Sequence, residues 1–309
     1  MTPTRRTLIL YFAVEALLFG FLVFALLDRR ARQRDQIEGV NQWGYRFEAH
    51  GSKEPGERRV AIVGGSSAFE AGSRYGGTLA GQLYIELRQA GAANKQVYSV
   101  VNLAEPRAGA DSYVDTLRAY RYLEPDVVCI FDGYDLLSGS PPHGRRQSLV
   151  FRSVGYLPVL PARIAGRPAW LSDPDGGVAE ILRDDAAASA DVTCEGASAV
   201  YCAAMADTVR FALGQRYAVV VVSPPSVSSR HRQQQQSLAT FLRRAVGGNP
   251  RFMYLDLGGA FDLSDPVHSP DGLHRTEIGN HVVSQRIATA ILKGIGGTPG
   301  LFSSRTGGS

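Results

Sequence analysis

The feature that most constrains the fold is a series of short apolar runs, each of which ends at glycine or at polar residues. The first run, Val-Ala-Ile-Val at residues 60–63, leads directly into Gly64 and Gly65. An unbroken apolar run of this length predicts a strand that is buried on both faces of a sheet. Further strands are predicted at residues 97–103, 127–131, 218–222 and 252–257, and helices at residues 78–90, 111–123, 203–213, 233–246 and 277–293.

The alternation of these strands and helices predicts the architecture. Parallel strands are joined by helical crossovers, so this alternation indicates a parallel sheet with helices on both faces. We therefore predict an α/β fold, a three-layer α/β/α sandwich with a five-stranded parallel sheet of flavodoxin-like type. Asp111 or Ser112 is expected to cap the second helix, and Thr276 is expected to cap the last one.

An N-terminal apolar segment lies outside this pattern. Residues 8–27 read LILYFAVEALLFGFLVFALL, in which Glu15 is the single charge. At about 1.5 Å per residue a helix of this length spans about 30 Å, which is the thickness of the hydrocarbon core of a bilayer. No small-residue cleavage site follows, so we predict an uncleaved transmembrane helix rather than a signal peptide.

Composition divides the chain further. We predict a membrane anchor at residues 1–28, a stalk at 29–58, the α/β domain at 59–294 and a disordered tail at 295–309. Within the domain, proline and glycine interrupt the alternation at about residues 138–200. A stretch of this length without a regular pattern predicts an insertion, which serves either as a lid or acceptor surface or as a covering flap with no role in binding.

Two features disagree about the side of the membrane on which the domain lies. Four arginines at residues 29–34 follow the apolar segment and two precede it, which favours a cytoplasmic domain. Cys194 and Cys202 are close enough in the sequence to close a small loop, and a disulfide between them would require an oxidising compartment. Two free thiols are the alternative, and Cys129 is expected to be a buried thiol.

Charge and residue spacing exclude some functions. The formal net charge is +4, and no basic block is interleaved with aromatic residues, so we expect no binding of nucleic acid. The histidines lack the spacing of metal ligands, and Cys194 with Cys202 has no second pair. We therefore expect neither a metal nor a cofactor.

Two groups of reactive residues are expected where the carboxyl ends of the strands meet, which is where sites form in open α/β sheets. Ser66 and Ser67 follow the first strand, whereas Asp271 and His274 lie in the loop before the last helix. The spacing D-x-x-H lets one short loop present a carboxylate and an imidazole together. In a nucleophilic triad the carboxylate fixes the tautomer of the imidazole, and the histidine accepts the proton of the serine.

On these residues the chain resembles the SGNH hydrolases, the superfamily of GDSL-type esterases and lipases, and in particular their membrane-anchored bacterial members. The resemblance extends over roughly residues 60–292. The sequence G-G-S ending at Ser66 resembles the first family block and implies that Ser66 is the nucleophile. Gly109 matches the glycine whose amide joins the oxyanion hole, and Asp271 and His274 match the block D-x-x-H.

The resemblance implies a serine esterase or deacylase that acts on carbohydrate or lipid esters by a Ser-His-Asp mechanism. Ser67 is then a structural neighbour of the nucleophile. A polysaccharide O-acyltransferase with the same triad is an alternative, because a sugar hydroxyl can take the place of water. The membrane-anchored relatives further imply that the domain of this single-pass protein is extracytoplasmic, in the periplasm.

One block departs from the family pattern. The family has an asparagine in the third block, and Asp135 occupies that position here, or matches the aspartate that follows it if one residue is deleted. An amide can donate a hydrogen bond to an oxyanion, whereas an ionised carboxylate repels it. Asp135 is therefore the third expected oxyanion-hole residue, with Ser66 and Gly109. It also favours a further alternative, a non-catalytic protein of the cell envelope that binds glycans or acts as a scaffold.

Overall fold

Five parallel strands form one sheet in the computed structural model, which describes residues 3–34, 40–70, 73–106, 108–132, 149–156, 158, 160–164 and 191–295. The strands are β1 Glu57–Gly64, β2 Val97–Asn102, β3 Val127–Phe131, β4 Ala218–Ser223 and β5 Phe252–Asp256. Their order is β2-β1-β3-β4-β5, and each neighbouring pair is parallel. The order reverses between β1 and β3, and in doubly wound sheets the site lies outside the carboxyl ends at that point. The predicted fold class is confirmed.

Helices cover both faces of the sheet, as predicted. Their bounds are α1 Pro3–Arg34, α2 Ser66–Phe69, α3 Leu79–Asn94, α4 Tyr113–Ala119, α5 Leu149–Val154, α6 Leu160–Ile164, α7 Ala199–Gly214, α8 Ser229–Val246 and α9 Glu277–Ala290. Short 3-10 turns occur at Tyr75–Gly77, Ala110–Ser112 and Arg121–Leu123, and a π-helical turn at Ile291–Ile295 follows α9.

The two faces of β1 pack into separate cores, because successive side chains of a strand point to opposite sides. Ala61 and Val63 pack in the core that α4, α7 and α8 cover. Val60 and Ile62 pack in the core that α3 and α9 cover. All four side chains are at most 1% exposed, which explains why this strand is apolar without alternation.

The predicted side-chain cap is present at the start of α9 and is not made by Ser112 at the start of α4. The Thr276 hydroxyl accepts a hydrogen bond from the Gly279 N–H (3.1 Å), so the predicted cap of α9 is confirmed. Ser112 precedes α4, but its hydroxyl donates to the Gly109 carbonyl (2.7 Å) and makes no capping bond. The single helix predicted at residues 111–123 is wrong, because the backbone leaves helical geometry at Tyr120, whose ψ angle is 19°.

The helix α1 is the one helix among the described residues that is long and apolar enough to cross a membrane, over Thr7–Ala31. Its carboxyl-terminal part contacts the domain. The Asp28 carboxylate is fully buried and accepts hydrogen bonds from the Tyr156 hydroxyl and from the Leu160 N–H, the latter at 2.8 Å. Part of the predicted insertion, at Tyr156 and the start of α6, therefore packs against the end of the apolar helix.

The stalk continues this contact along the edge of the sheet. Arg46 forms an antiparallel bridge with Asn102, at the carboxyl end of β2, and a second bridge with Val40. The side chain of Tyr45 is buried in the core and stacks edge-on against Tyr120. Residues 40–46 of the predicted stalk are thus packed against the sheet.

A disulfide joins Cys194 to Cys202, so the pair that the sequence left open is bonded. It connects the turn before α7 to the first turn of that helix. Cys129 lies in β3 as a buried free thiol, and burial raises its pKa to about 12. The boundaries of the four predicted parts stay predictions, and the predicted tail lies outside the described residues except for Ile295.

Candidate active site

The turn that carries Ser66 begins where β1 meets β3. A Cβ atom at Gly64 would overlap the carbonyl oxygen of Phe131 and would lie 2.8 Å from the Cβ of Ala68, so only glycine fits there. Gly65 has ordinary extended angles (φ −88°, ψ −151°), so its lack of a side chain is not required by the backbone conformation. Close approach at Gly64, rather than a left-handed turn, places Ser66 at the first position of α2.

The predicted carboxylate and imidazole form a hydrogen-bonded pair. His274 Nδ1 lies 2.6 Å from Asp271 Oδ2, and the other oxygen, Oδ1, accepts the N–H groups of Leu273 (2.9 Å) and His274 (2.7 Å). The Ser269 hydroxyl donates to the His274 carbonyl (2.6 Å) and closes the loop. One short loop therefore fixes both side chains, as the D-x-x-H spacing predicts.

The charge of this pair follows from its surroundings. Partial burial alone would raise the pKa of the Asp271 carboxyl, but hydrogen bonds from the His274 ring and from the N–H groups of Leu273 and His274 outweigh it and lower that pKa. The carboxylate is therefore ionised at neutral pH. An ionised carboxylate beside Nδ1 holds a ring proton on that nitrogen and leaves Nε2 as the nitrogen that can accept a proton. Both side chains are accessible, at 43% and 44% exposure.

Arg275 connects this loop to the Ser66 turn. Its Nη2 donates to the carbonyl of Ser67 (2.6 Å) and to Glu70 Oε1 (3.0 Å). Its Nε donates to the side-chain oxygen of Asn280 (2.7 Å). The guanidinium also lies 4.6 Å from the centroid of the Phe131 ring, in β3. The residue after His274 is thus bonded directly to the residue after Ser66.

The loop that carries Gly109 is hydrogen-bonded to the start of the turn that carries Ser66. After β2, the N–H of Leu103 donates to the Ile62 carbonyl (2.8 Å), and that of Glu105 donates to the Gly64 carbonyl (3.1 Å). The amide of Asn102 is buried and donates to the Ala68 carbonyl (2.9 Å). Gly109 is buried at the start of the 3-10 turn Ala110–Ser112. The second predicted block is therefore attached to the first at Gly64.

The third predicted block is described only at its start. Asp132 follows β3, is 1% exposed and accepts a hydrogen bond from the Tyr113 hydroxyl (3.0 Å). Asp135 lies outside the described residues, so its place in an oxyanion hole stays a prediction.

A second D-x-x-H sequence, from Asp265 to His268, occurs in the same loop. Asp265 Oδ2 lies 3.5 Å from His268 Nδ1, and the His268 ring stacks on Phe261 with 4.6 Å between centroids. This pair is held more loosely than the 2.6 Å pair of Asp271 and His274. It gives a matched control for experiments on the predicted pair.

Sequence reasoning missed the buried residues that join the loops. Arg275 and Glu70 have side-chain exposures of 3% and 7%, and they form an ion pair behind the Ser66 turn. The available signal was an arginine directly after His274 and a glutamate at the end of an apolar turn. Among the described residues, no group of three or more His, Cys, Asp and Glu side chains is arranged to hold a metal ion.

Comparisons with known proteins identify similar structures. No family model and no curated protein matches the sequence. A solved acetyl xylan esterase, AlAXEase, has a TM-score of 0.45 and 14% identity over 75% of this chain and 99% of its own.

Two further solved structures match the chain with similar identities and TM-scores. A family 3 carbohydrate esterase from Clostridium thermocellum has a TM-score of 0.44 and 11% identity, and the match covers 76% of this chain and 96% of its own. A putative lipolytic protein of the G-D-S-L family from Desulfitobacterium hafniense has a TM-score of 0.43 and 11% identity over 75% of this chain and 98% of its own.

Proposed function

We propose that the chain is a serine esterase or deacylase that acts on carbohydrate or lipid esters, with Ser66 as nucleophile, His274 as base and Asp271 as the carboxylate that orients the base. The observation that carries the proposal is the 2.6 Å hydrogen bond between His274 and Asp271, on a loop that Arg275 bonds to the Ser67 carbonyl. This arrangement supports the proposed triad, because it orients the imidazole of His274 and ties its loop to the turn that carries Ser66.

The chemistry follows from these positions. The ionised Asp271 keeps the proton of His274 on Nδ1, so that Nε2 accepts the proton of the Ser66 hydroxyl. The Ser66 oxygen bonds to the acyl carbon, and the tetrahedral intermediate collapses when His274 gives that proton to the leaving alcohol. Water then attacks the acyl-serine in the same way and releases the acid. In this proposal the amides of Ser66 and Gly109, together with Asp135, face the oxyanion.

The choice of Ser66 over Ser67 rests on accessibility. The hydroxyl oxygen of Ser67 is buried and has no hydrogen-bond partner among the residues that the structure describes. A substrate from solution does not reach it, and the Ser67 carbonyl is already bonded to Arg275. Ser66 is half-buried at the start of α2 and directly follows the glycine turn.

We further propose that α1 anchors the chain in a membrane and that the domain lies on the extracytoplasmic side. The length and apolar composition of Thr7–Ala31 support the anchor. The disulfide between Cys194 and Cys202 supports an oxidising compartment such as the periplasm.

Hydrolysis of a short acyl ester by the detergent-solubilised full-length chain tests the proposal. We expect turnover of p-nitrophenyl acetate and of an acetylated oligosaccharide. The variant Ser66→Ala should lose about 10⁴-fold or more in kcat, because the remaining site retains only binding and oxyanion contacts. Ser67→Ala is the matched control and should stay active.

The products separate the proposal from its alternatives. Release of acetate identifies an esterase, whereas transfer of the acetyl group to an added unacetylated oligosaccharide identifies an acyltransferase with the same nucleophile. Equal activity of Ser66→Ala and the wild-type chain would refute the assigned nucleophile. A folded wild-type chain that neither hydrolyses nor transfers the ester would support the non-catalytic alternative.

A further inference from the structure

Glu70 occupies an unusual position at the end of the helix that begins with Ser66. It terminates α2 in the left-handed region, with φ 56° and ψ 60°, and its N–H bonds to the Ser66 carbonyl (2.9 Å). Residues with a Cβ rarely adopt this conformation, and it persists where surrounding contacts fix it. Among the described residues these contacts come from the start of α3, from Arg46 and from Arg275.

One set of contacts holds the Glu70 carboxylate. Oε1 accepts from Arg275 Nη2 (3.0 Å), and Oε2 accepts the N–H of Leu79 at the start of α3 (2.6 Å). The same Nη2 of Arg275 bonds to the Ser67 carbonyl (2.6 Å), so one guanidinium contacts both ends of the turn. A planar guanidinium offers several fixed N–H directions, which an ammonium does not.

A second set of contacts holds the Glu70 backbone. Arg46, in the stalk, is 1% exposed and donates from Nη2 to the carbonyls of Glu70 (2.8 Å) and Ser73 (2.9 Å). Its guanidinium lies between the rings of Phe47 and Phe69, at 4.4 and 4.5 Å from their centroids. The turn is therefore held from the stalk on one side and from the His274 loop on the other.

We infer that Arg275 is a positioning residue, which fixes the loop carrying His274 onto the turn carrying Ser66 through its bonds to Ser67 and Glu70. This inference rests on the proposed function. Arg275 donates both to the turn of the nucleophile and, through Asn280, to the first turns of α9, so the base and the nucleophile share one rigid support. Misplacement of reacting groups by about 1 Å can cost about 10²-fold in rate.

The variant Arg275→Lys tests the inference, because it keeps the charge beside Glu70 but loses the simultaneous bonds to Ser67 and Asn280. We expect kcat to fall by about 10- to 100-fold while KM changes by less than about threefold. Fluorophosphonate labelling of Ser66 should slow by the same factor as kcat. Glu70→Gln should also lower kcat, and the double variant should lose less than the product of the two single losses, because the residues act through one contact.

Arg59 provides the matched control. It is another buried arginine, 2% exposed in its side chain, and it pairs with Glu57 at 2.9 Å near the amino end of β1, away from the site. Arg59→Lys should lower thermal stability as Arg275→Lys does but should leave kcat per folded molecule within about twofold of wild type. An equal loss of kcat in both variants would show a general effect of stability and would overturn the positioning role.

Hydrogen exchange gives a readout that does not depend on activity. Arg275→Lys should speed exchange in peptides that cover residues 65–70 and 271–276, and Arg59→Lys should not. Exchange at the wild-type rate in both peptides of Arg275→Lys would refute the inference. Labelling of Ser66 at the wild-type rate in the same variant would also refute it. Failure of the proposed function is a separate result, namely no labelling of Ser66 in the wild-type chain.

Discussion

Replacing Asp271 with asparagine converts one side-chain oxygen that accepts hydrogen bonds into an NH₂ group that donates them. The size of the side chain stays almost unchanged. In the wild-type chain Oδ2 accepts from His274 Nδ1 (2.6 Å), while Oδ1 accepts the N–H groups of Leu273 (2.9 Å) and His274 (2.7 Å). Asparagine has only one side-chain oxygen, and its amide nitrogen donates hydrogen bonds. The variant therefore cannot satisfy both sets of donors.

Each orientation of the new amide has a defined cost. If the oxygen keeps the two backbone N–H groups, the NH₂ faces His274 and forces the proton to Nε2, so the imidazole cannot accept the Ser66 proton. If the oxygen faces Nδ1, the NH₂ opposes two backbone donors, and the loss of two hydrogen bonds costs about 2–4 kcal/mol. The second, active orientation is then populated about 30- to 700-fold less, at about 1.4 kcal/mol per factor of ten.

We therefore expect kcat of Asp271→Asn to fall by about 30- to 700-fold, with KM within about threefold of wild type. A fall of about 10⁴-fold in kcat is typical of a buried triad aspartate. Because the side chain of Asp271 is 43% exposed, we expect a smaller loss of kcat here. The assay is ester hydrolysis by the full-length chain, with folding checked by circular dichroism.

The control for this variant is Asp265→Asn, which changes the second D-x-x-H pair, where the oxygen-to-nitrogen distance is 3.5 Å. We expect its kcat to stay within about twofold of wild type. A loss below about fivefold in Asp271→Asn, or an equal loss in Asp265→Asn, would refute the assignment of the orienting carboxylate.

Three further predictions concern charge and topology. Asp135→Asn should raise ester hydrolysis at neutral pH by about tenfold or more, because an amide donor replaces a charge that repels the oxyanion, and the gain should shrink at lower pH; unchanged activity would place Asp135 outside the hole. The pKa of the Asp271 carboxyl is lowered in the folded chain. The stability that this shift contributes is present above the unfolded pKa of about 4 and is lost as the pH falls through the lower pKa of the folded chain. Thermal melts of Asp271→Asn should therefore show a slightly shallower loss of stability at acid pH than those of the wild-type chain. Protease added to intact spheroplasts should remove the domain, and full protection would support the cytoplasmic orientation.

The sheet could be predicted because buried parallel strands leave a direct signature in the sequence. The run Val-Val-Cys-Ile-Phe matches β3 at both ends, Val127–Phe131, and every one of its residues is buried. Helix ends were harder to predict. The helix α7 starts at Ala199 rather than at residue 203, and its buried stripe already includes Tyr201 and Cys202, of which Cys202 is bonded to Cys194.

The candidate site was predictable where its contacts are local. Asp271 and His274 are three residues apart, so their spacing alone predicts the hydrogen bond. Arg275 and Glu70 are 205 residues apart, and no local pattern relates them. The requirement for glycine at Gly64 likewise comes from Phe131, a residue of another strand. Contacts of this kind follow only from the three-dimensional arrangement of the sheet.

The most direct test of the central claim is to locate the covalent adduct of a fluorophosphonate on the wild-type chain. Peptide mass spectrometry should place the phosphonyl group on Ser66, and the variants Ser66→Ala and His274→Ala should remain unlabelled while Ser67→Ala is labelled at the wild-type rate. An adduct on Ser67, or undiminished labelling of Ser66→Ala, would contradict a Ser66–His274–Asp271 triad.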